Sequence, residues 1–236
     1  MNLEVHPVGE NHIILLLSYY DTSKCVSIIN QLQRQLKIEG IRSMRPGLDC
    51  LLFELQDNVD RDALTRTLLN IKVDEISEVS GEIVRVPVCY ELGIDLENIC
   101  KTVSLTKQEV INLHSASTYT VWMIGFMPGY PYMGELPKVL QIPRKPNPDT
   151  KLPAGSVAIA EEFVGVYPFD SPGGWHVLGR TPFRLFDYQR KRPSFFNYGM
   201  KVQFYPITKD EFDLLSGGRA SVPADVQAGR DAGSPG

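Results

Sequence analysis

The sequence predicts an α+β fold made of two parts, an α/β head and a β-rich body. The first 80 of the 236 residues alternate between segments typical of strands and segments typical of helices. From Tyr119 to about Ile207, short β-rich runs are instead separated by glycine and proline turns. We therefore expect a ferredoxin-like α/β sandwich over residues 1–84, an antiparallel barrel or sandwich over residues 85–217, and a disordered tail, poor in large apolar residues, over residues 218–236.

Hydrophobic periodicity defines the elements of the head. Asp21 or Thr22 can cap its first helix, in which apolar residues recur at helical spacing and which Gly40 is expected to end. The expected elements are, in order, the strands LEVHPV and HIILLLS, the helix DTSKCVSIINQLQRQLKIEG, the strands IRSMRP and DCLLFEL, the helix VDRDALTRTLLNI and the strand EIVRVPVCY. From the second strand onward the order is β-α-β-β-α-β, which is typical of the ferredoxin-like sandwich.

The body begins with two short helical segments and continues as strands. Asp95 can cap the segment LENICKTV, and Thr106 and Glu109 have the spacing of a capping box before KQEVINLHS. Repeated short strands with turn residues between them indicate an antiparallel barrel or sandwich. The strand-like runs are YTVWMIGF, SVAIAE, FVGVYP, WHVLGR, FRLFD and KVQFYP.

Composition argues against several classes of protein. The net charge of −4, the pI near 5.6 and the lack of a basic stripe argue against a nucleic-acid partner. No apolar run approaches the ~20 residues of a membrane helix, and the polar N-terminus is unlike a signal peptide. The four cysteines are scattered and form no CxxC pair, which argues against a disulfide framework. We therefore expect a cytoplasmic protein with reduced thiols.

The common catalytic signatures are missing from the sequence. It has no GxxxxGK[ST], GxGxxG or GxSxG motif, and its four histidines are not at metal-ligating spacing, so no metal site is predicted. What remains is a pair of loops of similar composition, residues 125–137 and 167–182, both rich in glycine, proline and aromatic residues. Such loops can form a rigid aromatic wall beside a concave site, or they can be structural turns that fill one end of a barrel.

Cations near these loops suggest an anion-binding site. Arg144 and Lys145 lie between the loops and Arg180 lies within the second; each can pair with a carboxylate or phosphate, or form a surface salt bridge. The adjacent Gly173 and Gly174 let a ligand approach backbone N–H groups, or form a hairpin turn.

His114 and a set of loop residues complete the list of candidates. His114, on the last turn of a predicted helix, can transfer protons or act as a cation at the helix C-terminus. The candidate catalytic residues are His114, Arg144 and Arg180. The candidate substrate-binding residues are Phe126, Pro128, Gly129, Tyr130, Tyr132, Lys145, Ser156, Tyr167, Ser171, Gly173, Gly174 and Trp175.

Three motifs in this order resemble the carboxyltransferase-domain subunit 1 family. The motifs are LHSASTYTVWMIGFMPGYPYMGELP, PRKPNPDTKLPAGSVAIA and GVYPFDSPGGWHVLGRTPFRLFD. The resemblance spans roughly residues 1–217 and is strongest over 114–187. It implies an α/β N-terminal domain followed by a cyclophilin-like β-barrel, with the two loops lining one mouth of the barrel.

The resemblance also implies a function. It implies the B subunit of a heteromeric ATP-dependent 5-oxoprolinase, which converts 5-oxoproline, ATP and water to glutamate, ADP and phosphate. The implied partners are a homologous carboxyltransferase subunit 2 (the C subunit) and a third hydrolase subunit (the A subunit). ATP, with or without magnesium, would be held by the complex, and no biotin would be attached to this chain. The alternatives within the family are a KipI-type inhibitor of a sensor histidine kinase and a component of an allophanate hydrolase or urea carboxylase-related enzyme.

Two positions depart from the pattern of the family. Relatives have a second arginine after proline where this chain reads Pro148–Asp149, and a Gly/Gln/Thr-rich turn where this chain has Glu161 and Glu162. Acidic residues there are expected to weaken anion binding by like-charge repulsion.

Overall fold

The computed structural model describes residues 2–18, 22–36, 38–71 and 83–217. These fall into two compact units, one within residues 2–71 and the other within residues 83–217. The predicted tail over residues 218–236 lies outside the described residues, as does the possible cap Asp21. No helix in the described ranges is long and apolar enough to cross a membrane.

The first unit is an antiparallel sheet with two helices. The sheet order is β1-β2-β4-β3, and burial alternates along β2 and β4, with one face of each strand buried. Helix α1 ends five residues before the predicted stop at Gly40, which adopts a positive φ in the turn that follows. The elements are β1 (Asn2–Val8), β2 (His12–Ser18), α1 (Thr22–Gln35), β3 (Ile41–Pro46), β4 (Cys50–Leu55) and α2 (Arg61–Leu69).

One strand of the predicted ferredoxin-like order belongs to the other unit. The run Ile83–Val88 was expected to complete the head, but it pairs with a strand of the second unit. Val86 and Val88 are fully buried in the core of that unit, and this burial determines where the strand lies. In the first unit, the edge beside β2 is occupied by β1, the N-terminal strand.

The second unit contains a seven-stranded sheet among its described residues. Its order is β12-β9-β10-β7-β6-β13-β5, and all its pairs are antiparallel except β13–β5, which is parallel. The capping box of Thr106 and Glu109 is present at the start of α4, as predicted. The strands are β5 (Ile83–Val88), β6 (Thr118–Ile124), β7 (Pro131–Gly134), β8 (Asp149–Leu152), β9 (Ser156–Ala160), β10 (Phe163–Val166), β11 (Ser171–Gly173), β12 (His176–Arg180) and β13 (Lys201–Pro206). The helices are α3 (Leu96–Val103), α4 (Lys107–Ala116) and α5 (Lys209–Gly217).

Two details of the second unit differ from the prediction. The run FRLFD is not a strand, because only Phe186 pairs, through an isolated bridge to Ser194. Helix α5 was not predicted; Glu211 accepts hydrogen bonds from both the backbone N–H and the hydroxyl of Thr208 at its start.

The two edge strands of the large sheet meet at a seam. The Cys89 N–H donates to the Arg180 carbonyl at 2.8 Å, and the Arg180 N–H donates to the Cys89 carbonyl at 3.0 Å. This bridge joins the end of β5 to the end of β12, so the sheet is nearly closed into a barrel. Closure removes two strand edges that would otherwise present unpaired backbone groups.

Strands of the barrel carry two layers of side chains. On β10, Val164 and Val166 lie in the main core, whereas Phe163 lies against a second cluster on the opposite face. On β9, Val157 and Ile159 face the main core and Ala158 and Ala160 the second cluster. The period of two along each strand therefore gives the sheet an inner face, in the main core, and an outer face under the second cluster.

Gly179→Ala is expected to lower the free energy of unfolding by about 2 kcal/mol, through overpacking at the seam. An added Cβ would lie 2.7 Å from Val88 Cγ1 and 2.8 Å from the Cys89 carbonyl oxygen. Denaturant unfolding followed by circular dichroism measures the change. Gly174→Ala is the matched control, since its nearest heavy atom would lie 3.6 Å away. Equal stability of the two variants would contradict a tightly packed seam.

Candidate functional site

Six aromatic side chains form a connected group, called here the aromatic cluster, on the outer face of the barrel. Its members are Phe126, Tyr130, Tyr132, Phe163, Tyr167 and Trp175. Ring centroids of Tyr130 lie 5.0 Å from Tyr167 and 5.9 Å from Trp175, in edge-to-face geometry. The two loops therefore pack against each other, but on the outer face of the sheet and not at the mouth of the barrel.

Small residues beneath the aromatic cluster make room for it. Ala158 and Ala160 of β9 and Gly165 of β10 lie on the outer face below the rings. An added Cβ at Gly165 would lie 2.2 Å from the Tyr130 hydroxyl oxygen and 2.9 Å from the Trp175 ring. The absence of a side chain at Gly165 is thus required for the observed packing of Tyr130 and Trp175.

Two tyrosine hydroxyls form a short chain of hydrogen bonds inside the aromatic cluster. The Tyr130 hydroxyl donates to the Tyr167 hydroxyl, which also accepts from the Trp175 backbone N–H. Burial raises the pKa of both phenols, so both are neutral at physiological pH. The pair therefore orients the rings and supplies no charge.

Arg144 places a positive charge above the aromatic cluster. Its guanidinium carbon lies 6.0 Å from the centre of the Trp175 ring, a cation–π arrangement. Its Nε lies 3.4 Å from Glu161 Oε1, and both side chains are more than half exposed. An exposed pair of this kind is weak, so Arg144 can exchange Glu161 for the carboxylate of a ligand.

Lys145 does not offer a free charge, contrary to its predicted role in substrate binding. Its Nζ lies 2.6 Å from Asp95 Oδ2 and 2.5 Å from Asp149 Oδ2, and only 12% of its side chain is exposed. Asp95 Oδ2 also accepts the Val177 N–H at 2.8 Å, and the Lys145 N–H donates to the Gly174 carbonyl at 2.8 Å. The side chain of Asp95 therefore does not cap α3, as was predicted; it ties the Arg144 loop to β12.

Arg180 lies at the seam and apart from Arg144. Its Nη2 donates to the Ala154 carbonyl at 3.0 Å, and its guanidinium lies 5.5 Å from the centre of the Phe212 ring. It is also five residues along β12 from Trp175, which is about 16 Å in an extended strand. Its contacts fit a role in barrel closure better than the predicted catalytic role.

His114 lies in the main core and not in the candidate site. It is fully buried, stacks on Phe204 with 4.8 Å between ring centroids, and its Nδ1 lies 2.6 Å from the Tyr90 hydroxyl. Burial lowers the pKa of His114 to about 3, so the ring is neutral at physiological pH. A neutral side chain without access to solvent does not fit the predicted role in proton transfer, and we assign His114 a role in packing.

The remaining candidates line the loops or hold them in shape. Pro128 is exposed, and Gly129 adopts a φ of +79° beside the Phe186 ring. Ser156 is fully buried and its hydroxyl donates to the Pro153 carbonyl at 2.7 Å, so it is not placed as a nucleophile. The hydroxyl of Ser171 donates to the Pro172 carbonyl, and Gly173 packs against the Tyr167 hydroxyl.

Two residues of the site, Phe163 and Glu161, were not among the candidates. Phe163 stacks on Trp175, with 6.3 Å between ring centroids, and Glu161 is the partner of Arg144. The alternation of large and small residues in FVGV could have indicated that Phe163 and Gly165 share one face of a strand. Glu161 could not have been paired with Arg144 from spacing alone.

Residues 3–196 match the family described as carboxyltransferase domain, subdomain C and D. The match includes every residue of the aromatic cluster, together with Arg144 and Glu161. The chain belongs to this family.

Relatives of this carboxyltransferase-family chain carry a consistent name. A Haemophilus influenzae protein named as the B subunit of 5-oxoprolinase is 42% identical over 209 residues, which are 86% of this chain and 97% of that protein. A Bacillus subtilis protein of the same name is 40% identical over 158 residues, which are 66% of this chain and 65% of that protein. The crystal structure of TTHA0988 is similar with a TM-score of 0.72 at 28% identity, covering 83% of this chain and 40% of that one.

Metal ligands are not grouped in the described part of this family member. Within residues 2–71 and 83–217, as far as they are described, no group of three or more His, Cys, Asp or Glu side chains is arranged to hold a metal ion. The candidate site therefore offers an apolar aromatic surface and one cation.

Lys145→Met is expected to lower the free energy of unfolding by roughly 3 kcal/mol, because it leaves two carboxylates at Asp95 and Asp149 without their cation. Chemical denaturation at pH 7 measures the loss. Lys151→Met is the matched control, since Lys151 forms a 3.0 Å pair with Asp170 that is exposed on both sides, and its loss should cost less than about 1 kcal/mol. Similar costs for the two variants would show that the Lys145 cluster does not hold the loop.

Proposed function

We propose that this chain is the B subunit of a heteromeric ATP-dependent 5-oxoprolinase. The observation that carries the proposal is the 42% identity to the Haemophilus influenzae protein of that name, over 97% of its length. The proposed reaction opens the lactam of 5-oxoproline with water, gives glutamate, and is driven by conversion of ATP to ADP and phosphate. The candidate site supports the proposal because its chemistry suits the substrate.

The substrate, 5-oxoproline, has a small ring and one carboxylate. We propose that the ring lies on the surface formed by Tyr132 and Trp175, beside the half-exposed guanidinium of Arg144. Arg144 would bind the substrate carboxylate in bidentate fashion, a stronger interaction than its present 3.4 Å contact with Glu161. Glu161 would hold the guanidinium in place while the site is empty.

The lactam carbonyl is a poor electrophile and has to be activated before water can attack. Transfer of the γ-phosphoryl group of ATP to the carbonyl oxygen makes that oxygen a leaving group, and water then attacks the same carbon. Arg144 and the aromatic cluster would orient the substrate and exclude water from one of its faces. No phosphate-binding motif is present in the sequence, so we propose that the complex, and not this chain alone, holds ATP and any accompanying magnesium.

The partners proposed for this chain follow from the same identification. The name that the relatives share denotes one component of a larger enzyme and implies others. We propose that these are a homologous carboxyltransferase component, the C subunit, and a hydrolase component, the A subunit. This chain would then supply substrate-orienting groups and remain inactive without the other two.

Glutamate release from 5-oxoproline and ATP tests this function directly. The chain is assayed alone and then with the A and C subunits from the same source. Glutamate and ADP should form in equal amounts, and only in the mixture. An assembled complex that hydrolyses ATP with another amide, and never with 5-oxoproline, would refute the proposed substrate.

Arg144→Met is expected to raise KM for 5-oxoproline at least tenfold in the reconstituted enzyme, because a charged hydrogen bond to the carboxylate is worth roughly 1.5–3 kcal/mol. The melting temperature should change little, since Arg144 makes only an exposed ion pair. Arg45→Met is the matched control, because Arg45 forms a similar 3.3 Å pair with Glu54 in the first unit. An unchanged KM in the Arg144 variant would remove Arg144 from the binding site.

A further inference from the structure

Exposed aromatic side chains are concentrated on loops beside the aromatic cluster. Phe126 is 64% exposed, Phe169 41% and Tyr188 75%. Single exposed apolar residues are ordinary, whereas several on neighbouring loops indicate an interaction site.

Phe186 connects these loops into one surface. Its ring packs on Gly129, where an added Cβ would lie 3.0 Å from Cδ2, and it lies 5.7 Å from the Phe169 ring, centroid to centroid. Tyr188 follows two residues later on the same loop. We call the surface formed by Phe126, Phe169, Phe186 and Tyr188 the aromatic face.

The loops of the aromatic face are held in place before any partner binds. The Asp187 N–H donates to the Pro193 carbonyl at 2.8 Å, and the Asp187 carboxylate lies 3.3 Å from Arg184 Nη1. Phe126 adopts a φ of +65°, a left-handed conformation that is costly for a residue with a bulky side chain, while its ring projects to solvent. Preorganised exposed aromatics reduce the entropy cost of association.

Charge around the aromatic face is positive. The segment 184–192, RLFDYQRKR, has four basic residues and one acidic residue, in a chain whose net charge is −4. Lys191 is exposed. A partner suited to this surface therefore presents an apolar recess with carboxylates around it.

We propose that the aromatic face docks the carboxyltransferase partner of the enzyme, through an apolar recess edged by acidic side chains. The inference rests on the proposed function for the identity of the partner. Phe126 supports this occupant, because it belongs both to the aromatic cluster and to the aromatic face, so a protein bound here would cover the open edge of the candidate site. The TTHA0988 chain also supports it, because the region similar to this protein is only 40% of that longer chain.

Binding of the purified carboxyltransferase partner to this full chain tests the proposal, with affinity measured by titration calorimetry and complex size by light scattering. The variant Phe169→Ser/Tyr188→Ser should weaken binding at least tenfold, and Lys191→Glu should slow association and reduce its dependence on salt. Leu214→Ser is the control, since Leu214 is 78% exposed on α5; its affinity should equal that of the wild type. Melting temperatures confirm that the variants fold.

Outcomes for the surface and for the reaction can be told apart. Unchanged affinity in the double variant, or no binding of the carboxyltransferase partner by the wild type, would overturn the proposed docking surface. Self-association of the wild type that the double variant abolishes would assign the aromatic face to a second copy of this chain and also overturn it. Weakened binding in the double variant, together with a wild-type complex that does not release glutamate, would support the surface and refute only the proposed reaction.

Discussion

The pair of backbone hydrogen bonds between Cys89 and Arg180 is the constraint on which the second unit depends. Without it, β5 and β12 would be free edges, and the residues that precede β12, Trp175 among them, would lose their fixed position. The strands approach closely there because Gly179 faces Val88 and Gly93 lies against the Leu178 carbonyl. Backbone closure at the seam therefore positions side chains that lie at the far end of β12.

The strand register connects the main core with the candidate site. On β10, Val164 faces inward and Phe163 and Gly165 face outward, so a shift of one residue would exchange the two faces. The apolar core fixes this register, and the site inherits it. Lys145 adds a second connection, because its contacts with Asp95 and Asp149 hold the loop that carries Arg144. Arg144 can thus remain exposed and weakly paired without losing its position.

Local patterns in the sequence were sufficient for most elements but not for their partners. The alternation in HIILLLS and the capping box at Thr106 and Glu109 are contained in a few adjacent residues, and both elements formed as expected. The strand Ile83–Val88 was recognised but placed in the wrong sheet, because its partner β13 lies more than 100 residues further along the chain.

Long-range contacts also explain the mixed outcome for the candidate site. The two aromatic loops were recognised by composition, and they do pack together. The charge of Lys145 was misjudged because its partner Asp95 is fifty residues away. His114 was misjudged because a basic residue on the last turn of a helix is normally exposed, whereas α4 turns this face into the core. Burial and pairing of single side chains are tertiary properties, and one sequence does not contain them in a readable form.

The aromatic cluster has a spectroscopic consequence. The chain has two tryptophans, Trp122 and Trp175, and both contact Phe163, at 5.8 Å and 6.3 Å between ring centroids. Intrinsic tryptophan emission therefore originates entirely at the outer face of the barrel, while the first unit contributes none. Any ligand or protein that changes the solvent around Trp175, or moves the Arg144 guanidinium above it, alters the emission of the unlabelled protein.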